Sequence, residues 1–256
     1  MRRVLLPLML MLAGLSQDLG ASPRRSTEAA PAPPQKVIEE AGAAYEAGRW
    51  EEAKSLYENL LADEGAGASL CYNLGNCWFK LGRRGMAVLW YERARRLAPR
   101  DPDVRFNLKV ARQGLDSEDF SPWDTLDLLL SRTELSWVVV IFAWLFFIPA
   151  GAVALRWIDW RRLKWFLFTA GVLLAVFGAW LAARQCYERA SWAVVVEDQV
   201  DVRSGPGEQF TVGFVVKGGR RVLVLERRLS WVEIAVHGEG MKGWTPAGGV
   251  SLIESD

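Results

Sequence analysis

Hydrophobic and polar residues follow three different patterns along the 256-residue chain. In residues 37–115, small and aromatic residues recur at a fixed spacing between charged positions, which predicts paired helices. Two later runs, Leu135–Leu155 and Trp165–Ala183, contain no charged residue. From residue 190, short Val-rich stretches alternate with polar residues between Gly and Pro, as in short strands. The chain is therefore predicted to be multidomain: an α-helical region, two apolar helices and a small all-β barrel over 190–256.

The two uncharged runs, 135–155 and 165–183, are predicted to be transmembrane helices. Each has about the 20 residues that a helix needs to cross a bilayer. Tryptophans lie near their ends, as expected at the headgroup region: Trp137, Trp157, Trp165 and Trp180. The alternative is a pair of buried helices in a large soluble core, but such helices usually keep a polar stripe.

The charges around these runs predict their orientation. The connector 156–164 carries four basic residues against one acidic residue, and short positive loops stay in the cytoplasm. Residues 1–21 begin with two arginines followed by an apolar stretch, which is typical of a secretory signal cut after Ala21. An uncleaved anchor would give the same topology. Both soluble regions are therefore expected outside the cytoplasm of a bacterial inner (cytoplasmic) membrane, with the protein multi-pass.

Composition excludes several functions. With 31 basic and 30 acidic residues, the chain lacks the basic excess of nucleic-acid-binding proteins. Cys71 and Cys77, six apart on one predicted helix, are too distant for a disulfide. With His237 as the only histidine, an ordinary zinc site lacks ligands, and no cofactor motif is present. Residues 22–36 are rich in Pro, Ala and charge, which predicts a flexible linker.

A repeat organises residues 37–115. One shift along the chain aligns both Gly48 with Gly82 and Tyr57 with Tyr91. The shift is about 34 residues, a fixed period that indicates helix–turn–helix units. The glycines are expected to end the first helix of each unit in a left-handed conformation. Small residues at Ala41 and its equivalent Gly75 are expected to let paired helices approach closely.

These windows resemble the tetratricopeptide repeat family. The second window carries the family's signature at Leu74, Gly75, Trp78, Gly82, Ala87, Tyr91, Ala94 and Pro99. The first departs from it, with Glu40 for leucine and Gly65 for proline. Asp101 and Pro102 open a third helix, predicted to cap two complete repeats. Trp78 and Cys77 are accordingly expected to be packing residues.

The resemblance implies a groove that binds peptides or partner proteins. Its geometry implies five protein-binding candidates: Tyr45, Tyr72, Asn76, Phe79 and Lys80. One subclass of the family grips a C-terminal carboxylate with Lys, Asn and Arg. Here only Asn76 fits, because the other positions hold Ile38, Tyr72, Phe106 and Val110. A carboxylate clamp is therefore not expected.

Residues 116–134 join the capping helix to the first apolar run. Apolar residues recur there at helical spacing: Trp123, Leu126, Leu129 and Leu130. Either a linker with a helix in the membrane surface or a segment packed on the repeats fits this pattern.

The tail, 190–256, resembles bacterial SH3-like domains. The motif "VRSGP", Val202–Pro206, and the later Trp231 and Gly243-Trp244 carry this resemblance. It implies a five- or six-stranded barrel without catalytic activity, of a kind that often binds cell-wall peptides or proteins. Arg203, Trp231 and Trp244 are the ligand candidates, with support of the barrel as the alternative role for the tryptophans.

The order of segments resembles the E-type (BatE-like) protein family of the Bacteroides aerotolerance operon. "YNLGN", "YERARRLAPRDPD" and "FNLKVAR", followed by a membrane hairpin, carry the resemblance. It implies partners among membrane proteins with von Willebrand factor A domains and a MoxR-type ATPase, in a membrane complex linked to envelope stress.

The sequence fits three functions to different degrees. The first is a non-enzymatic inner-membrane scaffold or adaptor for periplasmic partners. The second is a peptidoglycan sensor that binds the cell wall through the tail. The third, an enzyme, is disfavoured: a hydrolase needs a Cys or Ser beside a histidine, and His237 is far from either repeat cysteine.

Overall fold

The computed structural model describes residues 34–115, 126, 128–236 and 238–254. The predicted signal segment 1–21, nearly all of the linker 22–36, residues 116–125 of the connecting segment, and His237 lie outside the described residues. The helical region, the two apolar helices and the sheet belong to one compact unit that starts at Pro34.

Five helices form the first part of this unit. They are α1 (Pro34–Glu46), α2 (Trp50–Glu64), α3 (Ala68–Lys80), α4 (Arg84–Leu97) and α5 (Pro102–Arg112). Helix α3 starts one repeat period after α1, and α4 starts one period after α2, as the sequence predicts. Helix α1 starts at Pro34, inside the stretch expected to be a linker.

Three local features shape these helices. Gly48 and Gly82 both have a φ of +77°, so the predicted left-handed helix ends are confirmed. Asp101 caps α5, because its carboxylate accepts hydrogen bonds from the backbone N–H groups of Asp103 and Val104 at 2.9 and 3.3 Å. A Cβ on residue 75 would lie 2.6 Å from the ring of Tyr91, so Gly75 permits the close contact of α3 with α4.

Two long helices follow, α6 (Arg132–Ala154) and α7 (Trp160–Glu188). Ser131 and Glu134 form a capping box at the start of α6. Both helices are long and apolar enough to cross a membrane, by length and composition. Helix α6 starts three residues before the predicted span 135–155 and ends one residue before its end, whereas α7 extends past both ends of the predicted span 165–183. The predicted connector 156–164 is therefore shortened to the turn at 155–159.

Seven strands form one antiparallel sheet. They are β1 (Trp192–Val195), β2 (Gln199–Arg203), β3 (Val212–Lys217), β4 (Arg221–Arg228), β5 (Trp231–Val236), β6 (Lys242–Pro246) and β7 (Val250–Leu252). Their order is β3-β2-β6-β5-β4-β1-β7. Because no pairing joins β3 to β7 at the two edges, the sheet is open, and the predicted SH3-like barrel is not confirmed.

Alternation along the central strands defines the two faces of the sheet. Val232, Ile234 and Val236 of β5 are buried in the apolar core with Val202 and Val222. The intervening residues of β5 point to the other face, as the two-residue period of a strand requires. The sheet therefore has one core face, and the other face carries Trp231 and Glu233 of β5.

The helical repeats pack directly on the sheet through α4. Val88 and Leu89 share a buried cluster with Trp192 and Val194 of β1. A Cβ on residue 85 would lie 2.7 Å from the carbonyl oxygen of Val196, so Gly85 permits this contact between helix and strand. Burial of these apolar side chains is the main force that joins the two regions.

A charged cluster lies within the same contact. The Glu92 side chain is fully buried and pairs with Arg112. Arg95 contacts it at 2.9 Å, and the Arg221 guanidinium of β4 lies 4.0 Å away. Burial alone would raise the pKa of Glu92, but Arg95, Arg221 and Arg112 outweigh it and hold that pKa well below its usual range. Glu92 is therefore a buried carboxylate with three cationic neighbours, one of them contributed by the sheet.

Candidate functional site

Two adjacent cavities open along the first helices of the repeats. The first, of about 290 Å³, is lined by Gly42, Tyr45, Glu46, Tyr57, Asn73 and Asn76. The second, of about 220 Å³, is lined by Tyr45, Asn76, Phe79, Lys80, Tyr91, Asn107 and Val110. Because Tyr45 and Asn76 line both, we treat the two cavities as one surface, called the repeat groove below.

The two cavities are equivalent positions of the repeat. Every residue that lines the first cavity has a counterpart one repeat period later in the lining of the second. Four replacements distinguish them: Gly42 becomes Asn76, Tyr45 becomes Phe79, Glu46 becomes Lys80, and Asn76 becomes Val110. The groove therefore repeats one shape with opposite charges at its two rims.

The structure brings together four of the five predicted groove residues: Tyr45, Asn76, Phe79 and Lys80 all line the second cavity. Tyr72 lines neither cavity, but its hydroxyl oxygen accepts a hydrogen bond from Asn107 Nδ2 at 2.9 Å. Tyr72 thus contributes by holding the position of another groove residue.

A hydrogen-bond network fixes the centre of the groove. Asn76 Oδ1 accepts from the Tyr91 hydroxyl at 2.7 Å and from Asn107 Nδ2 at 3.1 Å. Since Oδ1 already accepts two hydrogen bonds, the amide is oriented with its Nδ2 donors away from these partners. In the described part of the chain, Asn76 Nδ2 donates to no protein atom, so it can serve a bound group.

Burial affects the tyrosines that line the groove. Burial raises the pKa of Tyr45 and of Tyr91, so both hydroxyls stay protonated and can donate hydrogen bonds. Glu46 lines the first cavity and Lys80 the second, and both side chains are exposed. The groove therefore offers aromatic surface and amide donors between one negative and one positive rim.

The cysteines near the groove have no chemical role in this geometry. Cys71 and Cys77 are free and fully buried, and burial raises the pKa of Cys77 to about 11. Because the thiolate is the reactive form of cysteine, Cys77 is unreactive. Cys77 packs in the helical core with Leu74 and Trp78, which confirms the prediction that Cys77 and Trp78 are packing residues.

Seven residues that line the groove were not among the predicted candidates: Gly42, Glu46, Tyr57, Asn73, Tyr91, Asn107 and Val110. The sequence contained a signal for three of them. Gly42 and Val110 lie one repeat period from Asn76, and Glu46 lies one period before Lys80. Applying the repeat period to the predicted candidates would have found these three.

On the sheet, the three ligand candidates share the face opposite the apolar core. Arg203 pairs with Trp244 across β2 and β6, and Trp244 pairs with Glu233 of β5. Trp231 lies two residues before Glu233 on the same face. Neither tryptophan belongs to the core cluster of the sheet.

Two of these side chains have structural contacts of their own. Arg203 donates hydrogen bonds to the backbone oxygens of Glu208 and Phe210 at 3.1 and 2.9 Å, which holds the loop after β2. The guanidinium of Arg228 lies 5.2 Å from the centre of the Trp244 ring, a cation–π contact that sequence reasoning missed. Trp231 is thus the ligand candidate with the least structural role.

Comparison with known proteins identifies the helical region. Residues 44–110 match the tetratricopeptide repeat family. Such repeats are typical of protein-interaction scaffolds, and the match points to a binding domain in this part of the chain. The match spans the groove and most of its lining residues.

A curated relative matches over a short stretch. The chain is 42% identical over 52 residues to the putative N-acetylmuramoyl-L-alanine amidase YrvJ of Bacillus subtilis (strain 168). This stretch is 20% of the chain and 10% of the amidase. The chain therefore spans only about a tenth of the length of that relative.

Among solved structures, the chain has low similarity to SycD and to PcrH. The type III secretion translocator chaperone SycD of Yersinia enterocolitica is 14% identical, with 57% of this chain and 92% of SycD covered and a TM-score of 0.30. PcrH in complex with the chaperone binding region of PopB is 16% identical, with 57% and 98% covered and a TM-score of 0.31.

Proposed function

We propose that this protein is a non-enzymatic membrane adaptor whose repeat groove binds an extended segment of a partner protein. The observation that carries the proposal is the pair of equivalent cavities with Glu46 at one rim and Lys80 at the other. An extended peptide spanning both cavities would place a basic side chain near Glu46 and an acidic side chain near Lys80.

The groove has the features that peptide recognition uses. Asn76 Nδ2 is oriented to donate to a backbone carbonyl, and Tyr45 and Phe79 supply aromatic surface for apolar side chains. Two cavities give a small contact area, so the groove alone is expected to bind with modest affinity. Opposite rim charges mainly set the direction of the bound peptide.

A charge-swap experiment tests the groove. Peptide display against the full chain in neutral detergent should select sequences with a basic residue, apolar residues and then an acidic residue. Lys80→Glu should weaken binding of a selected fluorescent peptide about tenfold, and Glu46→Lys combined with Lys80→Glu should favour the peptide with reversed charges. Lys109→Glu, on the exposed side of α5, makes the same charge change outside the groove and should change affinity less than twofold.

A double alanine variant tests peptide binding in the groove in a second way. Tyr72→Ala combined with Asn76→Ala removes both acceptors of the Asn107 amide, and binding of the selected peptide should fall by more than tenfold. Unchanged affinity in this double variant and in Lys80→Glu would show that the groove is not the binding site.

The membrane location is the second part of the proposal. Two helices of sufficient length and apolarity support it, as do the basic connector and the N-terminal leader pattern. We place both soluble regions outside the cytoplasm of a bacterial inner membrane. The family resemblance then suggests membrane proteins with von Willebrand factor A domains, served by a MoxR-type ATPase, as the source of the bound segment. A C-terminal fusion to a reporter that is active only in the cytoplasm should give no signal, and a strong signal would overturn this topology.

Cell-wall binding through an SH3-like tail is the alternative function. The short similarity to an amidase and the outer face of the sheet with Trp231 support it. If it holds, the full chain should sediment with purified peptidoglycan, and Trp231→Ala should reduce the bound fraction at least threefold. Leu229→Ala, which removes a fully exposed apolar side chain in the adjacent turn, should leave it unchanged. If the chain does not sediment with peptidoglycan, cell-wall binding is wrong and binding through the repeat groove is the function that remains.

A further inference from the structure

A third cavity lies where the repeats, the sheet and the apolar helices meet. Its volume is about 400 Å³, within the range of small-molecule sites. The end of α4, the start of α6, the end of α7 and the strands β1 and β4 all contribute to its lining. We call it the junction cavity.

Five arginines line the junction cavity. They are Arg95, Arg96, Arg132, Arg184 and Arg221. Among the described residues, Glu92 pairs with Arg95 and lies 4.0 Å from Arg221, Glu254 pairs with Arg96, and Glu188 pairs with both Arg132 and Arg184. The side chains of Arg96 and Arg132 remain 29% and 59% exposed, so an anion can reach them.

The arginines are held in defined positions. Arg184 Nε contacts Glu188 at 2.9 Å, and one of its terminal nitrogens donates to the backbone oxygen of Leu130 at 2.8 Å. Arg221 donates to the Tyr187 hydroxyl at 2.8 Å and lies over the Trp192 ring at 4.9 Å. Little rotamer entropy would be lost when such fixed cations bind an anion.

The cavity lies at one end of the apolar hairpin. The start of α6 and the end of α7 are adjacent, because Arg132 and Glu188 form an ion pair at 3.4 Å. The exposed apolar surface of α6 begins about one turn further along the helix, where Trp137 is 64% exposed. If the helices span a bilayer, the junction cavity therefore lies at the depth of the headgroups.

Apolar side chains complete the lining. Leu97, which is 52% exposed, lies with Pro99, Trp192 and Ile253 beside the arginines. The site thus combines cationic forks with apolar surface. That combination suits an amphiphilic anion better than a small inorganic one.

We propose that the junction cavity binds the phosphate group of an anionic phospholipid headgroup. The guanidinium fork matches the geometry of phosphate oxygens, and the apolar residues would contact the glycerol and the first acyl carbons. A free phosphate ester carries the same anionic group, so the experiment includes both sources. The inference rests on the membrane location proposed above.

Lipid titration of the full chain tests this inference. Native mass spectrometry in a neutral detergent would measure binding of phosphatidylglycerol, phosphatidylcholine and glycerol 1-phosphate. Phosphatidylglycerol should bind at least tenfold more tightly than phosphatidylcholine, and glycerol 1-phosphate at least a hundredfold more weakly than phosphatidylglycerol. The double variant Arg96→Gln with Arg132→Gln should bind phosphatidylglycerol about tenfold more weakly. Both arginines are partly exposed, and their ion pairs lie at the surface.

Matched variants separate specific binding from general charge. Arg105→Gln with Lys109→Gln removes two exposed positive charges from α5 and should change lipid affinity less than twofold. The single variant Arg96→Gln gives a smaller loss should the double variant prove unstable.

Three outcomes would overturn the inference. Equal affinity for the two lipids, or an unchanged affinity in both arginine variants, would show that the arginines only join the repeats to the sheet. Glycerol 1-phosphate binding as tight as phosphatidylglycerol would show that the site takes a soluble phosphate ester. Two further measurements test the proposed function separately from this inference. Carbonate extraction of the wild-type chain from membranes tests the membrane location, and peptide affinity tests binding in the groove.

Discussion

Two consecutive residues of α4 enter two different polar clusters. The Tyr91 hydroxyl donates to Asn76 in the neutral network of the groove, whereas Glu92 lies among arginines at the contact with the sheet. Tyr91 is 2% exposed and Glu92 is 0% exposed. Successive residues of a helix point in directions about 100° apart, so a single turn of α4 serves both surfaces.

The difference between the clusters shows how polar groups can have distinct roles in one helix. The groove network is neutral, and its Asn76 amide keeps donors directed away from its protein partners. The Glu92 cluster is buried and charged, and its one carboxylate contacts three guanidinium groups. Loss of one side chain from the groove network should therefore weaken the groove only slightly. Loss of one side chain from the Glu92 cluster should strongly weaken the contact between α4 and the sheet.

The largest expected effect is that of Glu92→Gln. This change deprives Arg95, Arg112 and Arg221 of the Glu92 carboxylate, and breaking a buried ion cluster in this way costs about 3–5 kcal/mol. Hydrogen–deuterium exchange of α4 and β1 amides in the full chain would measure the local opening free energy. Peptide affinity of the groove should change little.

The matched control for this variant is Glu52→Gln. Glu52 pairs with Arg49 at 2.8 Å, but its side chain is 51% exposed. Exposed pairs contribute about 0–1 kcal/mol, so the opening free energy of α4 should be unchanged. An equal loss in both variants would contradict the role assigned to burial.

The helical part of the fold could be predicted because its information is local and periodic. The repeat period predicted which helices are equivalent in the two repeats, and Gly48, Gly82 and Asp101 marked where helices end or begin. The groove residues Tyr45 and Asn76 followed from the family resemblance. Their hydrogen-bond partners were missed because they come from α4 and α5.

The sheet was harder to predict. Alternation along β5 correctly indicates two faces, but it contains no information on which strands form the edges. The observed order, with β7 paired with β1 at one edge and β3 at the other, joins strands that are far apart in the sequence. Glu92 and Arg221 illustrate the same limit, because nothing in either local sequence shows that they meet.

A change of pH sharpens the contrast between the charged and the neutral cluster. Because the folded pKa of Glu92 lies below its ordinary value of 4.5, its stabilising contribution is complete above pH 4.5 and is lost as the pH falls toward the folded pKa. The stability difference between wild type and Glu92→Gln should shrink by about 1.4 kcal/mol for each pH unit below 4.5. Thermal unfolding of both proteins between pH 6 and 3.5 measures this. A difference that is constant over the range would show that Glu92 does not ionise differently in the folded state.

The smallest expected effect is that of Tyr91→Phe, which removes one donor from the groove network. The loss of a single hydrogen bond should lower the opening free energy of α4 by about 1 kcal/mol, with no change in its pH dependence. Since Asn76 then keeps only Asn107 as a donor, peptide affinity should fall about two- to threefold.

The repeat supplies the control for Tyr91→Phe. Tyr57 occupies the equivalent position in the first repeat, and the counterpart of Asn76 there is Gly42, which has no side chain to accept a hydrogen bond. Within the described residues the Tyr57 hydroxyl makes no side-chain hydrogen bond, so Tyr57→Phe should cost less than Tyr91→Phe in both measurements. Equal losses would mean that ring packing, and not the bond to Asn76, determines the effect. The groove would then be held by its aromatic residues alone, and the polar contrast between Tyr91 and Glu92 would reduce to the charged cluster.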